Sequence, residues 1–127
     1  MKAFNPENAP QPAARYAQAV VHGANAERLI ISGQIGVTND GTTLDGLEAQ
    51  TEQCFKNIFA VLEGAGFKRE HLAKLVTYVT QPGQTGVVRE VRDRMMDGHL
   101  CCSTYLQVAG LAGPAWLVEI EAEAIKE

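Results

Sequence analysis

The sequence LVEIEAEAI, residues 117–125, lies close to the end of the chain and repeats with a period of two residues. Glu119, Glu121 and Glu123 occupy alternate positions, and apolar residues fill the positions between them. This alternation predicts a β-strand with one apolar face and one acidic face. Three carboxylates side by side either meet water or include one that lines a site, and the pattern alone does not choose between them.

The rest of the chain divides into strands and helices without repeats or linkers. After an extended arm over residues 1–12, strands are predicted at 17–23, 28–37, 72–80, 103–110 and 116–125, and amphipathic helices at 45–65 and 87–96. The first two strands are close enough to form a hairpin. The order β-β-α-β-α-β-β predicts an α+β fold in which two helices cover one face of the sheet.

Several predicted strands carry apolar side chains on both faces. In the strand 28–37, Leu29, Ile31 and Ile35 point one way and Ile30 the other, and in the strand 72–80, Leu75 and Val79 oppose Val76 and Tyr78. Because an apolar sheet face uncovered in water usually marks an interface, this pattern predicts an oligomer whose sheets pack together. A monomer whose second face is covered by loops is the alternative.

Length and composition indicate one soluble domain over residues 1–127, with a net charge of −4 and a pI of about 5.4. Lys and Arg are not clustered, which argues against nucleic acid or an anionic membrane as partner. The chain shows no signal peptide and no apolar run long enough to span a bilayer. Three cysteines without a CxxC motif predict reduced thiols in the cytoplasm, and the histidine spacings predict no metal site.

A few residues are candidates for chemistry. Gly33, within a predicted strand, permits either an ordinary bulge or close approach of a ligand to the backbone. Glu119 suits proton transfer if burial adjusts its pKa, but a solvated strand face is the simpler interpretation. Tyr16 is either a hydrogen-bond donor or a core ring. Cys101 and Cys102 have no identifiable catalytic partner, which favours buried, inert thiols over a nucleophile.

In order and spacing, several segments together resemble the reactive intermediate deaminase family, also called Rid or YjgF. The segments are NAPQPAARYAQAV (8–20), LIISGQIGV (29–37), AQTEQCFKNIFAVLEGAG (49–66), LAKLVTYVT (72–80), STYLQVAGL (103–111) and LVEIEAEAI (117–125). The resemblance implies a chorismate-mutase-like fold that forms a homotrimer around a central barrel. It also implies active sites between subunits that hydrolyse enamines and imines to carbonyl compounds and ammonia without a cofactor or metal.

The resemblance assigns roles to particular positions of this sequence. Tyr16 matches a tyrosine that lines the cleft, and the run Ser32, Gly33 and Gln34 matches a segment whose glycine contacts the ligand. Glu119 matches the glutamate that handles the water or the proton. Its neighbours Glu121 and Glu123 are then expected to meet solvent or to form salt bridges.

One departure concerns the substrate carboxylate. Deaminases of 2-imino acids have an arginine where this chain has Ser103, and a small cysteine where it has Tyr105. A hydroxyl does not replace the bidentate guanidinium fork, so weak or absent activity on 2-iminopropionate-type substrates is expected.

The sequence therefore predicts hydrolytic deamination of another small enamine or imine, for example as in 2-aminomuconate deaminases. Glu119 would activate water, while Gly33, Ser103 and Tyr105 would border the ligand. A ligand-binding or regulatory homotrimer that has lost the chemistry is the alternative, and RNA cleavage fits the acidic charge balance least.

Overall fold

The computed structural model describes all 127 residues. Its elements in chain order are β1 (Lys2–Phe4), β2 (Ala19–Val21), β3 (Glu27–Ile35), α1 (Leu47–Gly64), a 3₁₀ turn (Arg69–His71), β4 (Leu72–Val79), α2 (Thr85–Met96), β5 (Cys102–Gln107) and β6 (Val118–Lys126).

The main sheet has four strands in the order β3-β6-β4-β5, and both helices pack on one of its faces. The acidic strand β6 lies inside this sheet and pairs antiparallel with β3 and β4, while β5 pairs parallel with β4. The predicted α+β fold, with two helices on one face of the sheet, is therefore confirmed.

The predicted hairpin between the first two strands is wrong. β2 pairs with β1, which lies in the arm that was predicted to be merely extended, and the two form a separate ribbon. β3 pairs only with β6 and is an edge strand, so its other edge is unpaired within the chain. Proximity in sequence favoured the hairpin, but the short strand β2 pairs with the N-terminal arm instead.

Helix α1 is built by the predicted three- and four-residue apolar period. Cys54, Ile58 and Leu62 are 0–1% exposed and face the sheet, but Val61 is 37% exposed. The helix ends as the sequence indicates, because Gly66 adopts a φ of 76°, a conformation that costs glycine little. In α2, Val88 and Val91 are buried, whereas Val87 is exposed.

A β-bulge interrupts β3. Ile31 pairs with Ala122 but Gln34 pairs with Ile120, so β3 contains one more residue than β6 between these two pairs. The extra residue reverses the alternation, and Ile35 pairs with Glu119 on the face away from the helices. The expectation that Ile35 shares a face with Ile31 is therefore wrong, and the bulge is the reason.

The sheet face opposite the helices, called here the outer face, keeps apolar residues at its surface. Ile30 on β3 is 67% exposed and Leu106 on β5 is 44% exposed, with half-buried Val76 and Tyr78 between them. The two-sided apolar pattern predicted from β3 and β4 is thus present, apart from Ile35.

Gln50 of α1 ties the segment before β6 to the helix. Its side-chain amide, 2% exposed, donates to the carbonyls of Leu44 and Ala115 at 3.0 Å and accepts from the N–H of Leu117 at 2.8 Å. Gly36 lies so close that a Cβ there would be 2.6 Å from the Cα of Gln50. The start of β6 is therefore positioned by a buried polar contact as well as by apolar packing.

Replacing Gln50 by Ala should lower the free energy of unfolding by about 2–4 kcal/mol, because three partly buried hydrogen bonds to the backbone are lost together with the buried side chain. Urea denaturation followed by circular dichroism measures this. Gln53→Ala is the matched control on the same helix, since Gln53 bonds only to Asn57, and it should cost less than about 1 kcal/mol. Equal losses for the two variants would contradict the role given to Gln50.

Candidate functional site

Glu119 differs from the other two glutamates of β6 in having no partner. Val118 and Ile120 are 0% exposed against the helices, so Glu119 projects from the outer face. Tyr78 donates a hydrogen bond to Glu121, and Arg28 forms an ion pair with Glu123 at 2.8 Å. Glu119 forms neither a side-chain hydrogen bond nor an ion pair within the chain, so its carboxylate is free to act on a ligand.

The Glu119 carboxylate lies directly over Gly33 in the bulge. A Cβ at position 33 would be 2.7 Å from Cδ and 2.8 Å from Cγ of Glu119, closer than non-bonded carbon atoms approach. Position 33 must therefore be glycine for Glu119 to keep this rotamer.

Internal contacts hold the bulge that carries Gly33. The side-chain amide of Gln34 donates to the carbonyl of Ser32 at 3.0 Å, and the Sγ of Cys54 donates to the carbonyl of Gln34 at 3.1 Å. Ser32, Gly33 and Gln34 therefore form one rigid unit beside Glu119.

Tyr16 and Ser103 lie elsewhere, in the wall of a cavity of about 330 Å³. The segment before β2 runs beside β5, where the N–H of Ala17 donates to the carbonyl of Cys101 at 2.9 Å, and this contact places Tyr16 next to Ser103. The cavity lies between the N-terminal arm and the end of α2, and we refer to it as the arm–α2 cavity.

Tyr105 follows Ser103 on the same face of β5 but does not line the arm–α2 cavity. It packs against the hydrophobic core, and burial raises the pKa of its phenol. Ser103 pairs with Leu75 and Tyr105 with Thr77, both buried on the helix side.

Within one chain, the candidate residues thus form two groups on opposite faces of the sheet. Glu119 pairs with Tyr78 on the outer face together with the Gly33 bulge, whereas Ser103 lies on the helix side with Tyr16. The arm–α2 cavity contains Tyr16 and Ser103 but neither Glu119 nor Gly33.

The arm–α2 cavity also contains residues that sequence reasoning did not select. Arg92 and His99 line it together with Arg15. A charged pair such as Arg92 and Asp93 on an amphipathic helix is typical of a solvent-exposed face, but the side chain of Arg92 is only 11% exposed. The connection from α2 to β5 folds over this end of the helix, and no periodicity in the sequence reveals that.

The three cysteines are poor nucleophiles. Burial raises the pKa of Cys54 and of Cys101 to about 12, and the charge of Glu119 adds to the effect at Cys54. Burial also raises the pKa of Cys102, although nearby Lys74 opposes the shift. All three thiols stay protonated at neutral pH, in agreement with the interpretation of inert cysteines.

No group of three or more His, Cys, Asp or Glu side chains is arranged to hold a metal ion. Neither helix has the length and apolar character needed to cross a membrane.

These features define an α+β domain with two helices on a mixed sheet, in which a glycine bulge faces an unpaired carboxylate. The family model described as Endoribonuclease L-PSP matches residues 6–126, and the chain belongs to this family. A RutC family protein of Aquifex aeolicus is 43% identical over 82 residues, covering 63% of this chain and 62% of that protein. The 2-iminobutanoate/2-iminopropanoate deaminase of Salmonella typhimurium is 29% identical, covering 98% and 95%.

Solved structures agree with the family. A Rid family protein of unknown function, YyfB from Yersinia pestis, superposes with a TM-score of 0.87 at 29% identity, covering 97% of this chain and 96% of that one. TdcF of E. coli with bound serine superposes with a TM-score of 0.75 at 25% identity and covers the whole of both chains. The resemblance to the Rid family inferred from the sequence is thus confirmed at the level of the family and the fold.

At pH 8 a thiol reagent should label no more than one cysteine of the folded protein quickly, and Cys102→Ser should abolish that labelling. The reason is that Cys54 and Cys101 are buried and their raised pKa values leave very little thiolate. Absorbance after addition of an aromatic disulfide measures it. Three equivalents should react in denaturant, and two rapid equivalents in the native state would contradict the assignment.

Proposed function

We propose that the protein hydrolyses a small reactive enamine or imine to a carbonyl compound and ammonia. An enamine first tautomerises to the imine. Water then adds to the imine carbon, with Glu119 taking a proton from the water and delivering it to the nitrogen. Glu119 next takes the hydroxyl proton of the carbinolamine and returns it to the leaving nitrogen as the C–N bond breaks. The balance is one imine and one water to one carbonyl and one ammonia.

The observation that supports this proposal is the free carboxylate of Glu119 over Gly33. Of the three glutamates on β6, it alone has no internal partner to neutralise its charge or fix its proton. The tight approach to Gly33 presents the carboxylate beside a strand backbone whose geometry is interrupted by the bulge. A deaminase among the relatives is consistent with imine chemistry in this family.

The complete site is proposed to form between copies of the chain, in a homotrimer. Ile30 and Leu106 leave the outer face apolar, which favours its burial against another subunit. A second copy on this face would bring the arm–α2 cavity of one subunit, with Tyr16 and Ser103, toward Glu119 and Gly33 of the other. The separation of the two groups within one chain is the reason to expect this.

Ser103 restricts the choice of substrate. Its side chain lies in the cavity wall where, by resemblance, 2-imino acid deaminases have an arginine. A hydroxyl offers one donor and no charge, so a 2-imino acid would not be held as such enzymes hold it. Slow turnover of 2-iminopropionate is therefore proposed, and faster turnover of another enamine or imine.

Glu119→Gln should lower the rate of ammonia release by about 10²- to 10⁴-fold, because the amide cannot transfer the proton. A coupled ammonia assay on a panel of enzymatically generated imines measures this. Glu121→Gln is the matched control on the same strand and face, and it should stay within about threefold since that carboxylate is held by Tyr78. Full activity of Glu119→Gln would refute the role of Glu119.

Gly33→Ala is a second variant for the same assay, because its methyl group displaces the Glu119 side chain without removing it. Gly110→Ala is its control, since nothing lies within 4 Å of a Cβ there.

A non-catalytic, ligand-binding trimer is the second candidate, favoured by the hydroxyl of Ser103 in place of a guanidinium. In that case small ligands would bind saturably to the wild-type protein, while no imine of the panel would yield ammonia above the uncatalysed rate. This outcome would replace the deaminase proposal and leave the assembly unaffected.

Ile30→Glu should convert the assembly to smaller species, because three charges would be forced into one buried apolar surface. Sedimentation velocity measures it, with the wild type expected at three times the mass of the 13.7 kDa chain. Val87→Glu, on the exposed side of α2, is the control and should sediment as wild type. A wild-type protein that sediments as a monomer would contradict the trimer.

A further inference from the structure

The arm–α2 cavity is lined by more positive than negative charge. Arg15, Arg92 and His99 line it, and Asp93 is the one acidic residue in the lining. Arg15 forms no ion pair within the chain. This is notable in a chain with a net charge of −4, and it makes the cavity suited to an anion.

Arg92 is held in place yet has bonding capacity left. Its Nε and Nη2 both donate to one oxygen of Asp93, at 3.2 and 3.1 Å. Its Nη1 donates to no atom of the chain and remains accessible to solvent. A nearly buried guanidinium, oriented by a neighbour and with one free nitrogen, is preorganised to bind a small anion.

We infer that the arm–α2 cavity binds the carboxylate of a small ligand through Arg92, with Arg15 and the Ser103 hydroxyl beside it. Arg92 reaches the cavity from α2, whereas the strand position 103 provides only a hydroxyl. The chain thus supplies the charge that Ser103 lacks, but from a different wall. Arg92 is a specificity-determining residue in this scheme, not a catalytic one.

A monocarboxylate fits the charge better than a phosphate does. Arg15, Arg92 and Asp93 together give the lining a net charge of about +1. A dianion would face the Asp93 carboxylate without full compensation. A carboxylate accepts hydrogen bonds from two donors, and the lining of this cavity contains Arg92 and the Ser103 hydroxyl.

This inference deepens the proposed function, because the ligand would be its substrate or product, but it makes a separate claim about binding. In this scheme the guanidinium comes from Arg92 on α2 and not from position 103. We therefore expect a 2-oxo acid to bind, although 2-iminopropionate is turned over slowly. Ligand binding and ammonia release can therefore fail independently.

The test is a titration of the ¹⁵N-labelled protein with pyruvate, with its neutral isostere pyruvamide and with inorganic phosphate, followed by amide chemical shifts. Pyruvate should shift resonances of residues 15–16 and 99–103 saturably, and pyruvamide should bind roughly tenfold more weakly or worse. Phosphate binding tighter than pyruvate, or shifts confined to other residues, would overturn the carboxylate assignment.

Arg92→Gln should weaken pyruvate binding roughly tenfold or more, and the control Arg94→Gln, on the same helix with an exposed side chain, should stay within about twofold. The amide spectrum of each variant shows whether it is folded. Wild-type pyruvate affinity in Arg92→Gln would refute the inference. Normal pyruvate binding without any ammonia release would leave it intact and refute the deaminase instead.

Discussion

The alternation of β6, buried on one side and carboxylated on the other, is the constraint on which the rest of the structure depends. Val118, Ile120 and Ala122 are covered by the helices, and this fixes the face from which Glu119 projects. Because β6 pairs on both sides, with β3 and β4, it cannot slip by one residue without exposing its entire apolar row. Packing in the core therefore determines where the carboxylate is presented.

Placement on a strand does not by itself distinguish Glu119 from its neighbours. The bulge does, because it brings Gly33 beneath the carboxylate, whereas the side chains of Tyr78 and Arg28 reach along the sheet to Glu121 and Glu123. An irregularity in β3 thus leaves one of three similar glutamates free. Bulges recur next to functional sites for this reason, since they redirect side chains locally while the sheet stays intact.

The period-two and period-3.6 patterns predicted the elements, the α+β class and the two-sided apolar strands, because burial in a sheet or on a helix leaves its period in the sequence. They did not predict the pairing of β1 with β2 or the reversed Ile35, because pairing partners and bulges depend on competition among distant segments. The resemblance to the Rid family selected Glu119, Gly33, Tyr16 and Ser103, whereas the alternation alone did not choose among the glutamates. Arg92 was not selected because an arginine next to an aspartate on a helix is typical of a solvent-exposed pair. The sequence does not show that the segment after α2 lies over it.

Tyr16 and Ser103 on one side of the sheet and Glu119 on the other cannot contact one small molecule through a packed sheet. A site that uses both groups requires two chains, and the apolar outer face supplies a physical reason for the chains to associate. In such an arrangement, specificity and proton transfer belong to different subunits. Under the proposed assembly, the side chain at position 103 could vary without disturbing Glu119 or the bulge, because the two groups lie on opposite faces of the sheet within one chain. A new ligand preference would therefore cost little stability, provided that another cation, here Arg92, lies within reach of the same cavity.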